Sequence, residues 1–157
     1  MRRRAVGVWL VGAAILALGL WLARSDCGLF CSARVTFDPV AILPLADSAL
    51  GITTPPGVRT HAARTGGFQD RFVQIRLSAS RQGLDALLAL LDLAPEDLAD
   101  DPPPYLGPTG PDWWATGGGG FRTARLASPT LDHLTLALRP EPEDPARWQI
   151  FLWGFET

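Results

Sequence analysis

The chain has 157 residues, room for about one domain, and carries 14 Arg and no Lys against 16 Asp and Glu, a formal net charge of −2. At 47% hydrophobic residues it is not a disordered chain, and its charge excludes a strongly basic nucleic-acid binder. Two cysteines are too few for a disulfide-dense miniprotein or for a zinc site built from Cys alone.

Residues 1–4 are basic, with Arg2, Arg3 and Arg4, and the nineteen residues 5–23 carry no charge. As a helix that run rises about 28 Å, close to the roughly 30 Å of a bilayer's hydrocarbon. Trp9 and Trp21 sit near its two ends, where interfacial indoles are favoured, and Arg24 follows. Three arginines before the run against one after it put the N-terminus in the cytoplasm. The expectation is a single-pass anchor in a bacterial inner membrane, with the lipid bilayer contacting residues 5–23 and residues 24–157 outside. The Lys-free, Arg-, Ala-, Leu-, Gly- and Pro-rich composition is what suggests a bacterial source. A cleaved signal peptide fits less well, because Trp21 is bulky at the −3 position and Cys31-Ser32-Ala33 lies far from the apolar run. A lipid-modified Cys is disfavoured by Asp26 before Cys27 and Phe30 before Cys31. Ala13 and Ala17 form a small-x-x-x-small pair that the composition already explains.

Residues 24–33 read as a stalk. Cys27 and Cys31 would close a short local disulfide loop at a turn, in a compartment where such bonds persist. Their C-x-x-x-C spacing is not the C-x-x-C of thioredoxin-like redox sites.

Residues 34–157 read as the exported domain, with 10 Arg and 15 Asp or Glu, a net of −5. Val35-Thr36-Phe37 suggests a short strand closed by Asp38-Pro39. Residues 40–50 have helical character that Pro44 interrupts. Residues 53–57 form a turn, and the stretch up to Gly66-Gly67 has no clear period. Residues 71–79 alternate, with Val73, Ile75 and Leu77 on one side and Phe72, Gln74, Arg76 and Ser78 on the other: a half-buried strand. Ser80 is then a helix N-cap, and Leu84, Leu87, Leu88 and Leu91 make an apolar stripe that Leu90 broadens. Burying four leucines contributes on the order of 6–12 kcal/mol before entropy costs. A short helix is expected at Pro95, ended by the prolines at 102–104, and the glycines at 117–120 read as a linker. Three strands follow, at 121–126, 131–139 and 148–155. The last is apolar on both sides, so it is either covered twice or a binding surface. The predicted fold is α+β, a mainly antiparallel sheet of about four strands packed against one amphipathic helix.

No catalytic constellation stands out. There is no G-x-S-x-G elbow. Asp132 and His133 are neighbours on a strand and face opposite ways, and both His133 and His61 read as solvated. No metal-ligand spacing occurs among Asp97, Asp100, Asp101 and Asp112, and no phosphate cradle or other cofactor signature is present. Two binding constellations remain. Asp112-Trp113-Trp114 on the long loop would stack on a sugar ring or anchor a partner, unless the rings cap the core instead. Gln74, Arg76, His133, Thr135 and Arg139 would hold an anion if they share a sheet face, with Arg122 or Arg125 nearby; a plain wet face would leave the same residues there. The functional expectation is a non-enzymatic, membrane-anchored protein whose extracytoplasmic domain is a binding or accessory module for an envelope or membrane protein, with no nucleic-acid role. The alternatives are a structural subunit of an inner-membrane complex and, less favoured, an envelope hydrolase using His61 or His133 with a loop carboxylate.

Overall fold

The computed structural model describes residues 33–67, 71–100, 112–114 and 120–157. The apolar run at 5–23, Cys27 and Cys31 in the stalk, Pro102-Pro103-Pro104 and the glycines at 117–119 all lie outside the described residues. No helix among the described residues is long and apolar enough to cross a membrane.

In chain order the elements are β1 (Arg34–Thr36), α1 (Pro39–Leu50), β2 (Val58–Gly66), β3 (Phe72–Ser80), α2 (Arg81–Leu90), β4 (Arg122–Leu126), β5 (His133–Pro140) and β6 (Arg147–Phe155). Single 3-10 turns occupy Pro95–Asp97 and Asp112–Trp114. The α+β class expected from the sequence holds. Among the described residues, however, the sheet has six antiparallel strands rather than about four, in the order β1-β2-β3-β6-β5-β4, and two helices pack on it rather than one.

Both corrections have local causes. α1 starts as its residues dictate: the Asp38 carboxylate accepts from the Val40 N–H at 3.0 Å, and Pro39 occupies a first-turn position where a missing N–H costs nothing. The helix then runs through Pro44 to Gly51, whose left-handed φ of 70° closes it. Pro44 costs one hydrogen bond, and the burial of Ile42, Ala46, Ala49 and Leu50 against the sheet outweighs that loss. β2 escapes a period-2 reading because a bulge between Thr60 and Ala62 breaks its alternation and its inward residues are alanines. His61, expected in a turn-rich region, is therefore a strand residue at that bulge.

α2 begins as expected, with the Ser80 hydroxyl accepting from the Gly83 N–H at 3.1 Å. Leu84, Leu87 and Leu88 are buried and Leu91 packs partly against them, whereas Leu90 points outward at 53% exposure and does not widen the stripe. The two helices share one face of the sheet, over Val73, Ile75 and Leu77 of β3, Leu134, Leu136 and Leu138 of β5, and Ile150 and Leu152 of β6. Gly83 meets the loop before β2 so closely that a Cβ there would lie 2.7 Å from the Gly57 carbonyl carbon.

β6 is paired on both sides, with β3 and with β5. Its even residues face the helices. Its odd residues face the opposite side, where Phe151 is fully buried beneath Trp114 and Phe121. The middle of the final strand is thus covered on both faces, while Trp153 and Phe155 toward its end are only half-buried.

A candidate binding face opposite the helices

Strand register decides which side chains share the face opposite the helices. Arg76 stands opposite Phe151, which stands opposite Ala137 and, beyond it, Thr123. The next row is Arg64, Gln74, Trp153, Thr135 and Arg125. On the other side of Arg76 lie Arg59, Ser78, Gln149 and Arg139. Phe72, Phe155 and His133 make the last row. The buried polar side chains of the described residues are Gln74, Ser78, Thr123, Thr135 and Gln149, and all belong to this face. The helix side is dry; this side is built to present polar atoms.

The residues expected to bind are gathered here, with distinct roles. Arg76, His133 and Arg139 share the face, as do Gln74 and Thr135. Arg125 joins them. Arg122 does not: its Nη2 donates to the Pro95 and Leu98 carbonyls and its Nε pairs with Asp100 at 3.3 Å. Asp112 opens the 3-10 turn that carries the two tryptophans. Trp114 is 2% exposed and meets Phe151 edge-on at 5.2 Å, so it is a core residue of this side and not an exposed stacking platform. Trp113 is half-buried, edge-on to Trp114 at 5.6 Å and to Phe37 at 6.4 Å. Its carbonyl accepts from Arg76 Nη1 at 3.2 Å. This aromatic cluster sits over the middle row and separates two ends of the face.

At one end lies an open groove of about 480 Å³, floored by His133, Thr135, Trp153 and Phe155 and edged by Arg125 and Asp132. The His133 ring stacks on Phe155 at 4.6 Å, and Trp153 tilts against Phe155 at 5.0 Å. Asp132 Oδ2 accepts from the Thr157 N–H at 2.8 Å and from its hydroxyl at 3.0 Å, which fixes the chain end beside the groove. Those two bonds hold the Asp132 carboxyl below the ordinary carboxylate range.

At the other end Ser78 is the hub. Arg147 Nη2 donates to its Oγ at 2.8 Å, and His61 Nε2 lies 2.7 Å from the same oxygen. Partial burial, then Arg76, Arg147 and Arg59, lower the His61 pKa below the ordinary 6.5, with Glu141 opposing. A neutral His61 ring accepts the Ser78 O–H while Ser78 accepts from Arg147. A serine and a histidine at this distance resemble a nucleophile and its base, but Ser78 is 1% exposed in mid-strand and its oxygen already serves two partners. The geometry suits holding a ligand better than attacking one. Arg139 Nε donates to Gln149 Oε1 at 2.9 Å and its guanidinium lies 4.6 Å from the Phe121 ring centroid. Burial first, and Arg76 second, pull its pKa down from the ordinary arginine value.

Nothing local in the sequence marks Ser78, Gln149, Arg147, Trp153 or Phe155 as site residues. Ser78 already stood on the wet side of a legible strand; the others needed the β3–β6 register, which no local pattern carries. Comparison with protein families, characterised proteins and solved structures finds no match for this chain.

Proposed function

We propose that this chain is a membrane-anchored bacterial accessory protein, tethered by residues 5–23, whose α+β domain binds an envelope or membrane partner on the sheet face opposite the helices. The observation that carries this reading is the division of labour between the two faces. The helices seal one, while the other concentrates the buried polar side chains and leaves a groove of about 480 Å³ floored with aromatic rings. Aromatic floors with a few polar groups at the rim are the usual make-up of recognition sites. Val35 and Phe37, exposed at the β1 edge, extend the apolar part of this side beyond Trp113.

The test is site-specific photocrosslinking in cells on the full-length chain. A crosslinker at Arg125, on the groove rim, should trap one near-stoichiometric partner, and a crosslinker at Leu90, exposed on α2, should not. Equal capture from both positions, or none from Arg125, would defeat the reading.

A further inference from the structure

The end of the face around Ser78 has a composition that partner binding at the groove does not explain. His133 and Arg139 lie at opposite ends of β5, about 20 Å apart at the rise of a strand, so the groove and this corner are separate places. Residues 34–157 carry an excess of acids, yet three arginines meet around the Ser78–His61 pair: Arg59 of β2 stands opposite Ser78 in the register, Arg76 of β3 lies two residues before it on the same face, and Arg147 of β6 donates to its Oγ at 2.8 Å. Each of the three charges also lowers the His61 pKa. The one carboxylate felt there among the described residues is Glu141, from the turn between β5 and β6, which pairs with Arg147 at 3.5 Å. Three guanidiniums against one carboxylate, around a half-buried spot, repel one another. Such a cluster is stabilised by an anion that accepts from several of them at once.

The donors are also held in place. Ser78 and Glu141 fix Arg147, and the neutral Trp113 carbonyl fixes Arg76; each guanidinium keeps further N–H groups. Arg76 Nε is buried and has no hydrogen-bond partner among the described residues. Arg59 and His61 are exposed, so the corner is open to solvent from the β2 side. We propose that Arg59, Arg76 and Arg147, with His61 at the rim, form a binding site for a doubly charged oxyanion group, a phosphate or sulfate. Guanidinium forks match the oxygens of such groups, and a dianion offsets the excess positive charge of the corner. The site depends neither on the membrane anchor nor on the groove.

The experiment is a titration of the full-length chain in mild detergent with inorganic sulfate, inorganic phosphate and glycerol phosphate. Ionic strength is held constant with chloride, and binding is read by calorimetry. Saturable binding of at least one of the three, absent for chloride, is expected. Tighter binding of glycerol phosphate would assign the corner to an esterified headgroup, and tighter binding of an inorganic ion to the free anion. Arg76→Gln combined with Arg147→Gln should weaken binding about tenfold or more. Because both residues are half-buried, Arg59→Gln at an exposed position provides the second variant, with a several-fold loss expected and the fold intact. Failure of all three anions to saturate, or an unchanged affinity in a folded Arg59→Gln and in a folded double variant, would overturn the site.

Discussion

His61 shows how a single side chain reports on its surroundings. Its folded-state pKa is depressed, so between that value and the ordinary 6.5 the unfolded chain binds more protons than the folded one. Stability therefore falls as the pH drops through about 6.5 and levels off below the folded pKa. Replacing His61 with Gln, which keeps a hydrogen-bonding group near Ser78, should flatten that part of the profile. Urea midpoints measured from pH 8 to pH 5 would show it, and an unchanged slope would mean that another group titrates there. The tryptophans of this face make a second contrast at the same scale. Trp114→Ala removes a buried ring from the cluster with Phe121 and Phe151 and should cost about 3–5 kcal/mol in denaturant unfolding. Trp153 is only half-buried on the groove floor, so Trp153→Ala should cost clearly less in stability and instead reduce crosslinking from Arg125. Equal destabilisation by the two would contradict the assignment of one ring to the core and the other to the groove.

At the scale of elements, a close backbone approach joins α2 to the loop before β2. Gly83→Ala places a methyl 2.7 Å from the Gly57 carbonyl carbon, and the loop backbone has to shift. A loss of about 1–3 kcal/mol, seen as a lower thermal midpoint, is the expected result. An alanine that stabilised this helix, as it would an isolated one, would show that the contact yields easily. The same neighbourhood separates what was legible in the sequence from what was not. β3, α2, β5 and β6 announce themselves because large side chains recur at the period of each element: Val73, Ile75 and Leu77; Leu84, Leu87 and Leu88; Leu134, Leu136 and Leu138. In α1 the buried stripe of Ile42, Ala46, Ala49 and Leu50 is half alanine and Pro44 stands inside it; β2 buries Ala62 and Ala63 and carries the bulge at His61. Small buried residues and a local irregularity weaken the periodic signal in both. The polar residues of the wet face were legible within a strand, as Gln74, Arg76 and Ser78 show. Their meeting with Arg147 and Gln149 is a matter of pairing between residues nearly seventy positions apart.

For the whole molecule, the proposed address makes a prediction that does not depend on the binding face. If residues 5–23 span the inner membrane with the basic end inside, a periplasm-dependent enzyme fused after Thr157 should be active, and a cytoplasm-dependent reporter at the same place should not. Moving Arg2, Arg3 and Arg4 to follow residue 23 should invert both signals. Activity of the cytoplasmic reporter in the unaltered fusion would refute the orientation.

The position of β6 has a consequence for how such a domain comes into being. The chain order places β1, β2 and β3 on one side of the sheet and β4 and β5 on the other; only β6 pairs with both groups, bridging β3 to β5. Until that segment is available, the chain holds two separate fragments, a helix-bearing three-strand sheet and a bare hairpin, with no ladder between them. Formation of the complete sheet thus waits on the strand that follows all the others, and closure must bring Phe72 to Phe155 across an intervening stretch that includes α2, β4 and β5. A nascent chain of this kind cannot complete its sheet until β6 has been made. If the chain is exported as proposed, that delay suits passage through a narrow translocation channel, where a domain that closed early would jam.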